Sequence, residues 1–343
     1  MRAWGVTYDT GFTNAGTTTH EPFDADVVAE DMRIIRRELR ADAVRITGGV
    51  AERLEIAARH AAAAGLEVWY CPFTNDLTPD QLVEFLLDAA DRAERIRRGG
   101  ADVRFLTGSE ISIMTLGLLP GATLTERAAA FTDPVRLREL LPEVQRRTNE
   151  LLARAVAGAR ERFGGPIGYA SLPLEAVDWT PFDVVATDAG YRDATNADAL
   201  PASLAALTSL GKPVAVAEFG CAPFTGAADR GSRSDIIGYD DRTGLAVRLT
   251  ETVERNEAEQ ASYLRDLLEV YDAGGVDTAF VYTFACRHLP TSDDPDRDFD
   301  RGSFGIVKVL PAGRTGTAYP GMPWEPKAAF TALAEYGRAR ASA

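Results

Sequence analysis

Short apolar runs alternate with longer segments of helical period along the whole chain, and no linker or change in composition separates them. That alternation is the tightest constraint on the fold. Apolar runs without strict polar alternation read as strands of a parallel sheet covered by helices. Eight are predicted, at 3–9, 43–47, 66–73, 103–108, 166–172, 183–188, 213–218 and 278–285. Helices are predicted at 24–40, 50–64, 78–99, 133–163, 197–210, 256–273 and 326–341. Their ends carry the residues that start and stop helices: Thr78 followed by Pro79 opens one, and Gly65 closes another. Eight strand–helix units in series imply a (β/α)8 TIM barrel, one domain spanning 1–343. The competing open, doubly wound sheet lacks its phosphate fingerprint, because Asp9 to Gly16 has the wrong glycine spacing.

The long loops follow strands 1, 4, 7 and 8, while the turns back into the strands are short. In such a barrel the working face lies at the C-terminal ends of the strands. Those ends carry Tyr8 and Asp9, Arg45, Cys71 and Asn75, Ser109 and Glu110, Tyr169 and Ser171, Asp188 and Tyr191, Glu218 and Cys221, then Tyr282, Thr283 and His288. Aromatic and polar groups on a rim suit a sugar, whose C–H faces stack on rings and whose hydroxyls bond to carboxylates and amides. Glu110 and Glu218 each end an apolar run, on strands 4 and 7. Two carboxyl groups across a pocket, one protonated and one ionised, are the minimal machinery for cleaving a glycosidic bond. Arg45 is the expected counter-ion that keeps its partner ionised. Glu110 is assigned as acid/base and Glu218 as nucleophile.

Other chemistries find less support. The histidines His20, His60 and His288 form no metal-ligand spacing, and the three cysteines read as small buried residues. No lysine falls at a strand end, against a Schiff-base enzyme, and no G-x-S-x-G elbow occurs. The acidic loop 293–300 lacks the glycine and glutamate of a calcium loop. No metal and no cofactor are expected. A net charge of −14 argues against nucleic acid or an anionic membrane as a partner. No apolar stretch approaches the ~20 residues of a membrane span. The first residues enter a strand without a charged-then-apolar leader, so a cytoplasmic protein is expected. The expected partner is a small-molecule or oligosaccharide substrate.

On these residues the chain resembles the clan A retaining β-glycosidases, eightfold barrels whose acid/base and nucleophile glutamates end strands 4 and 7. Ala43-Val-Arg45-Ile is similar to the clan's arginine-bearing second strand, and Val216-Ala-Glu218-Phe-Gly220 to its nucleophile strand. The stretch from Trp179 through Asp188 to Tyr191 looks like its sixth strand. Gly302-Ser-Phe-Gly305 followed by Trp324-Glu-Pro-Lys327 looks like its C-terminal end. Around Gly108-Ser-Glu110-Ile the likeness is nearest to β-mannanase-like members. The resemblance implies a retaining glycoside hydrolase acting on a β-linked glycan or glycoconjugate. It departs at two places. Ser109 stands where most of the clan has the asparagine that binds the sugar 2-hydroxyl. The end of strand 8 lacks the usual tryptophan platform, so Tyr282 or Phe284 would substitute. These departures keep a second reading open: a non-hydrolytic biosynthetic enzyme, or a small-molecule or carbohydrate-binding module on the same barrel.

Overall fold

The computed structural model describes residues 1–342. Eight parallel strands close into a barrel: β1 Ala3–Asp9, β2 Ala43–Gly48, β3 Glu67–Pro72, β4 Val103–Ser109, β5 Ile167–Ser171, β6 Val184–Thr187, β7 Val214–Phe219 and β8 Thr278–Val281. Each pairs with its neighbours in sequence, and β1 pairs with both β2 and β8. Alternation along each strand divides the core in two. Ala43, Trp69, Leu106, Ala170, Ala215, Phe280 and their neighbours pack as a cluster made of strand residues, filling the barrel. The opposite positions, including Trp4, Val6, Tyr8, Val44, Tyr70, Phe105 and Tyr169, join a larger cluster with the helices. The barrel floor is polar: Glu67 accepts from Arg104, Trp69 and Arg2.

Seven long helices wrap the strands: α1 Ala25–Arg37, α2 Ala51–Ala64, α3 Pro79–Arg98, α4 Pro134–Arg160, α5 Leu200–Thr208, α6 Glu257–Ala273 and α7 Ala328–Ala341. Side chains set their starts. Asp24, Thr78, Asp133 and Asn256 each accept from first-turn amides. Gly65, at φ 81°, ends α2 in the left-handed conformation that glycine adopts without penalty.

The short segment linking β5 to β6 contains a 3₁₀ turn, Pro173–Glu175. Glu175 holds that turn, being buried and accepting from the Tyr169 hydroxyl and the amides of Ser112 and Leu172. The eighth strand stops at Val281 rather than 285, and the Tyr282–Thr283 peptide is cis.

The four long loops are structured. The β1 loop holds a hairpin, Thr13–Asn14 with Thr17–Thr18. The β4 loop holds two short helices, Ile111–Met114 and Leu124–Ala128. The β7 loop forms a hairpin of Ile237–Tyr239 with Ala246–Leu249, and in the β8 loop Val307–Val309 pairs with Trp324–Pro326. No helix among the described residues is long and apolar enough to cross a membrane.

One buried carboxylate ties the first strand to the chain's end. Asp31 on α1 accepts from the Tyr8 hydroxyl at 2.7 Å and Trp324 Nε1 at 2.8 Å, and it pairs with the buried Arg287. Asp31→Ala strands that guanidinium in a low-dielectric layer. The expected loss is about 3–5 kcal/mol of folding stability, read as a fall in the urea midpoint. A loss below about 1 kcal/mol, the range of an exposed pair, would contradict this account.

Candidate functional site

An extra residue in β7 aims Glu218, and one in β4 turns Ser109 inward towards Arg45 and Asp188. Along β7, Val216 pairs with Ala279 and Phe219 with Val281, so β7 spends three steps where β8 spends two. Along β4, Leu106 pairs with Gly168 and Ser109 with Ala170, again three steps against two. A one-residue bulge reverses the alternation beyond it and re-aims the next side chain. By simple alternation Glu218 would face the helices, since Ala215 and Ala217 fill the barrel. The bulge brings it inward and sends Phe219 out against Tyr271 of α6.

Glu218 is buried and held from two sides. Arg45 Nη1 donates to its Oε1 at 2.7 Å, and the Tyr191 hydroxyl donates to Oε2 at 3.2 Å. Arg45 has no exposed side-chain surface; it also donates to the Ala217 carbonyl at 3.1 Å and to Ser109 Oγ at 3.0 Å, and lies 3.4 Å from Asp188. Ser109 Oγ in turn donates to Asp188 Oδ2 at 2.5 Å. Burial, then the charge of Asp188, pushes the Glu218 carboxyl up to about 7, against the pull of Arg45 and Tyr191.

Glu110 has a different setting. It lies at φ 49°, ψ 38°, a left-handed conformation uncommon outside glycine, at the entrance to the short helix Ile111–Met114. Hydrogen bonds brace that turn. Its own amide donates to the Ala170 carbonyl at 3.0 Å, Ile111 N donates to the Tyr169 hydroxyl at 2.9 Å, and Ser112 N donates to Glu175 at 3.0 Å. Its carboxyl has no ion-pair partner among the described residues. Burial, with the negative charges of Asp188, Glu218 and Glu175, holds the Glu110 carboxyl well above the ordinary range, and Arg45 is too weak an opponent to reverse this.

The two glutamates line one cavity of about 490 Å³, shared with Asp9, Tyr282 and His288 of the expected rim. Arg45, Ser109, Asp188 and Tyr191 support Glu218 without lining that cavity. Tyr8, Tyr169 and Phe284 lie outside it. Positions 7 and 9 face into the barrel, so Tyr8 faces out, bonding Asp31 and stacking on Phe284 at 5.9 Å. Tyr169 alternates outward in the same way, towards Glu175. Phe284 is buried edge-on against Trp324, so it is no sugar platform, and at the end of β8 the cavity wall has Tyr282. The amide of Asn75 is spent on Asn14 and Arg127, joining the loops. The His288 ring stacks on Tyr239, and burial brings its imidazole down to about 4, so it is neutral at pH 7.

The loops add wall residues that strand-end reasoning missed. Phe12 and Phe73 pack together, ring centroids 5.1 Å apart, and with Met114 and Leu124 give the cavity an apolar side. Tyr239, Asp235, Asp240 and Asp241 come from the β7 loop. Their only sequence signal was the length of that loop. Among the described residues, no group of three or more His, Cys, Asp or Glu is placed to hold a metal ion.

Neither a protein-family model nor a curated protein matches the sequence. Solved structures do. A GH113 β-1,4-mannanase aligns over 99% of this chain and 100% of its own, with a TM-score of 0.61 at 16% identity. The GH113 β-mannanase of Alicyclobacillus acidocaldarius aligns over 98% and 96%, with a TM-score of 0.58 at 15% identity. A β-glucuronidase from an uncultured Clostridium species aligns over 99% of this chain and 50% of its own, with a TM-score of 0.55 at 14% identity. The chain has the same barrel fold as these proteins. At these identities the likeness is one of fold, and it agrees with the resemblance drawn from the strand-end motifs.

The charge on Glu110 has a consequence for stability. Its ordinary value is 4.5 and its folded value lies well above that. Between those values the folded state keeps a proton that the unfolded chain releases, so this residue's contribution to stability falls as pH rises above 4.5. Glu110→Gln removes that contribution. The variant is expected to melt at a higher temperature than wild type at pH 8, with the gap closing towards pH 4.5. A gap that widens on acidification would refute the assignment.

Proposed function

We propose that the protein is a retaining glycoside hydrolase acting on a β-linked glycoside, with Glu110 as acid/base and Glu218 as nucleophile. The observation that carries this reading is the pair's shared cavity combined with unequal settings. Glu218 has a guanidinium and a phenol on its two oxygens, and Glu110 has no cation. In the first half-reaction Glu110 gives its proton to the glycosidic oxygen as the C–O bond breaks, and Glu218 attacks the anomeric carbon from the opposite face. In the second, Glu110, now ionised, takes a proton from water, which displaces Glu218 and releases the sugar. Tyr191 and Arg45 steady the carboxylate that leaves. Tyr282 offers the ring face that the expected platform would need, and Asp9, already accepting from Gly11 and Thr19, has lone pairs left for a sugar hydroxyl. Ser109 is committed to Asp188 and Arg45, so the 2-hydroxyl would be bound by another group. That commitment is also what favours the second reading, a barrel whose pocket serves a reaction other than hydrolysis.

A 2-deoxy-2-fluoro glycoside with a good leaving group tests the assignment. Mass spectrometry should find one glycosyl adduct per chain, on Glu218, and none in Glu218→Ala. Glu110→Gln should lower kcat/KM for poor leaving groups by about 10²–10⁴. An adduct on any other residue would falsify the nucleophile assignment. A reaction that needs both glutamates but frees no sugar would favour the second reading.

The pH profile offers a separate check. Activity should rise through pH of about 7 as Glu218 ionises. Asp188 is the charge that opposes that ionisation, so Asp188→Asn should move the acid limb to lower pH. A limb that stays in place or moves up would show that Glu218 does not set it.

A further inference from the structure

The β7-loop hairpin does more than supply wall residues: its turn crosses the barrel mouth and is tied to two other loops. Thr17 Oγ1, in the β1 loop, donates to the Thr243 carbonyl at 2.5 Å. Thr125 Oγ1, in the β4 loop, donates to Asp241 Oδ1 at 3.0 Å. Between these tethers Gly244 lies against the first loop, where a Cβ would meet the Asn14 carbonyl oxygen at 2.9 Å, and its φ of 68° suits glycine. The turn is stiffened from within, since Asp240 accepts from the amides of Arg242 and Thr243. Asn14, Thr125, Asp241 and Gly244 all line the cavity that holds the glutamates. The mouth is therefore strapped across. A polymer threads through a groove open at both ends, and a bridged mouth of about 490 Å³ matches the small-molecule range of roughly 300–1,000 Å³.

The wall has a second property. Seven carboxyl groups line the cavity, those of Asp9, Asp76, Glu110, Glu218, Asp235, Asp240 and Asp241, and no lysine or arginine does among the described residues. Among the described residues, only Asp76 and Glu218 of these have an arginine within ion-pair distance. A carboxylate or phosphate on an incoming sugar meets like charge on several sides, with no cation to receive it.

We infer that the strap and the acidic wall make this site a pocket for the end of a short, non-anionic glycoside, closed to uronates and to the interior of polysaccharide chains. The inference rests on the proposed glycosidase reading and names its substrate class. Its test uses 4-nitrophenyl β-glycosides of gluco, galacto, manno, xylo, glucosamine and glucuronate type, with soluble β-mannan, β-glucan and xylan. Turnover is measured on wild type, and binding by calorimetry on Glu110→Gln. At least one neutral or amine-bearing glycoside should be bound, and the glucuronide more weakly than it by at least about 100-fold, as like-charge exclusion requires. No polysaccharide solution should lose viscosity. Two variants open the strap independently. Gly244→Val drives a side chain against the Asn14 carbonyl, and the double substitution Thr17→Ala with Thr125→Val removes both tethers. Either should confer internal cleavage or binding of a polysaccharide that wild type rejects.

Internal cleavage by wild type overturns the inference. So does comparable use of the glucuronide, failure of every glycoside to bind, or unchanged size selectivity in both folded variants. Selective binding of a short non-anionic glycoside without hydrolysis would defeat the glycosidase reading while leaving the pocket's selectivity intact.

Discussion

A single guanidinium, fully withdrawn from water inside the barrel, organises the rim. A buried cation is tolerated only when anions and acceptors surround it closely. Arg45 on β2 finds Glu218 and the Ala217 carbonyl on β7, Ser109 on β4 and Asp188 just past β6. Its needs therefore fix the ends of four strands relative to one another. They also fix the protonation of the site. One cation faces three buried carboxyl groups, Asp188, Glu218 and Glu110, in a place where like charges are poorly screened. All three cannot ionise together near neutrality. The proton stays where the cation is least effective, on Glu110, because Arg45 bonds Glu218 directly and lies beside Asp188. Unequal protonation, which two-carboxylate chemistry requires, thus follows from where one arginine is buried.

A bulge and a left-handed turn bring the two carboxyl groups to that place. In an unbroken strand, alternation would hold 215, 217 and 219 on the inner face and turn Glu218 towards the helices. One extra residue in β7 brings Glu218 inward, and one in β4 brings Ser109 inward beside it, while the strands below keep their register. The cost falls on Glu110, whose left-handed backbone is of the kind worth roughly 1–3 kcal/mol of strain. The hydroxyl of Tyr169 and the carboxylate of Glu175 offset it by taking up the amides of Ile111 and Ser112. Tyr169 lies outside the cavity and still shapes it, by holding the turn from which Glu110 projects.

This division accounts for what could be read from the chain. The eight strands and the starts of α1, α3, α4 and α6 were legible because apolar runs and capping residues act locally, within a few residues of Asp24, Thr78, Asp133 and Asn256. Glu110, Glu218 and Arg45 were legible because charge at the end of an apolar run is rare and needs a partner. Side-chain direction was harder. Tyr8 and Tyr169 looked like rim residues because their strands end there, yet whether they face in or out is decided by register, a property of strand pairs that no single segment records. Phe284 failed for a related reason, since β8 stops at Val281 and the chain past it packs against Trp324.

The same physics separates this barrel's floor and its mouth. At the floor Glu67 meets Arg2 and Arg104, so charge is balanced and the contact is structural. At the mouth carboxyl groups outnumber the arginines that pair with them, and several are spent on backbone amides or hydroxyls instead. Such unbalanced charge works against folding, because each burial step raises the free energy of an ionised group. It persists where long loops bring their own local hydrogen bonds, as the Asp240 turn does, and so carry the cost without disturbing the barrel below. The barrel's stability and the pocket's character are thereby set by different segments. Arg45, reaching from the lumen to Glu218, is the link through which each influences the other.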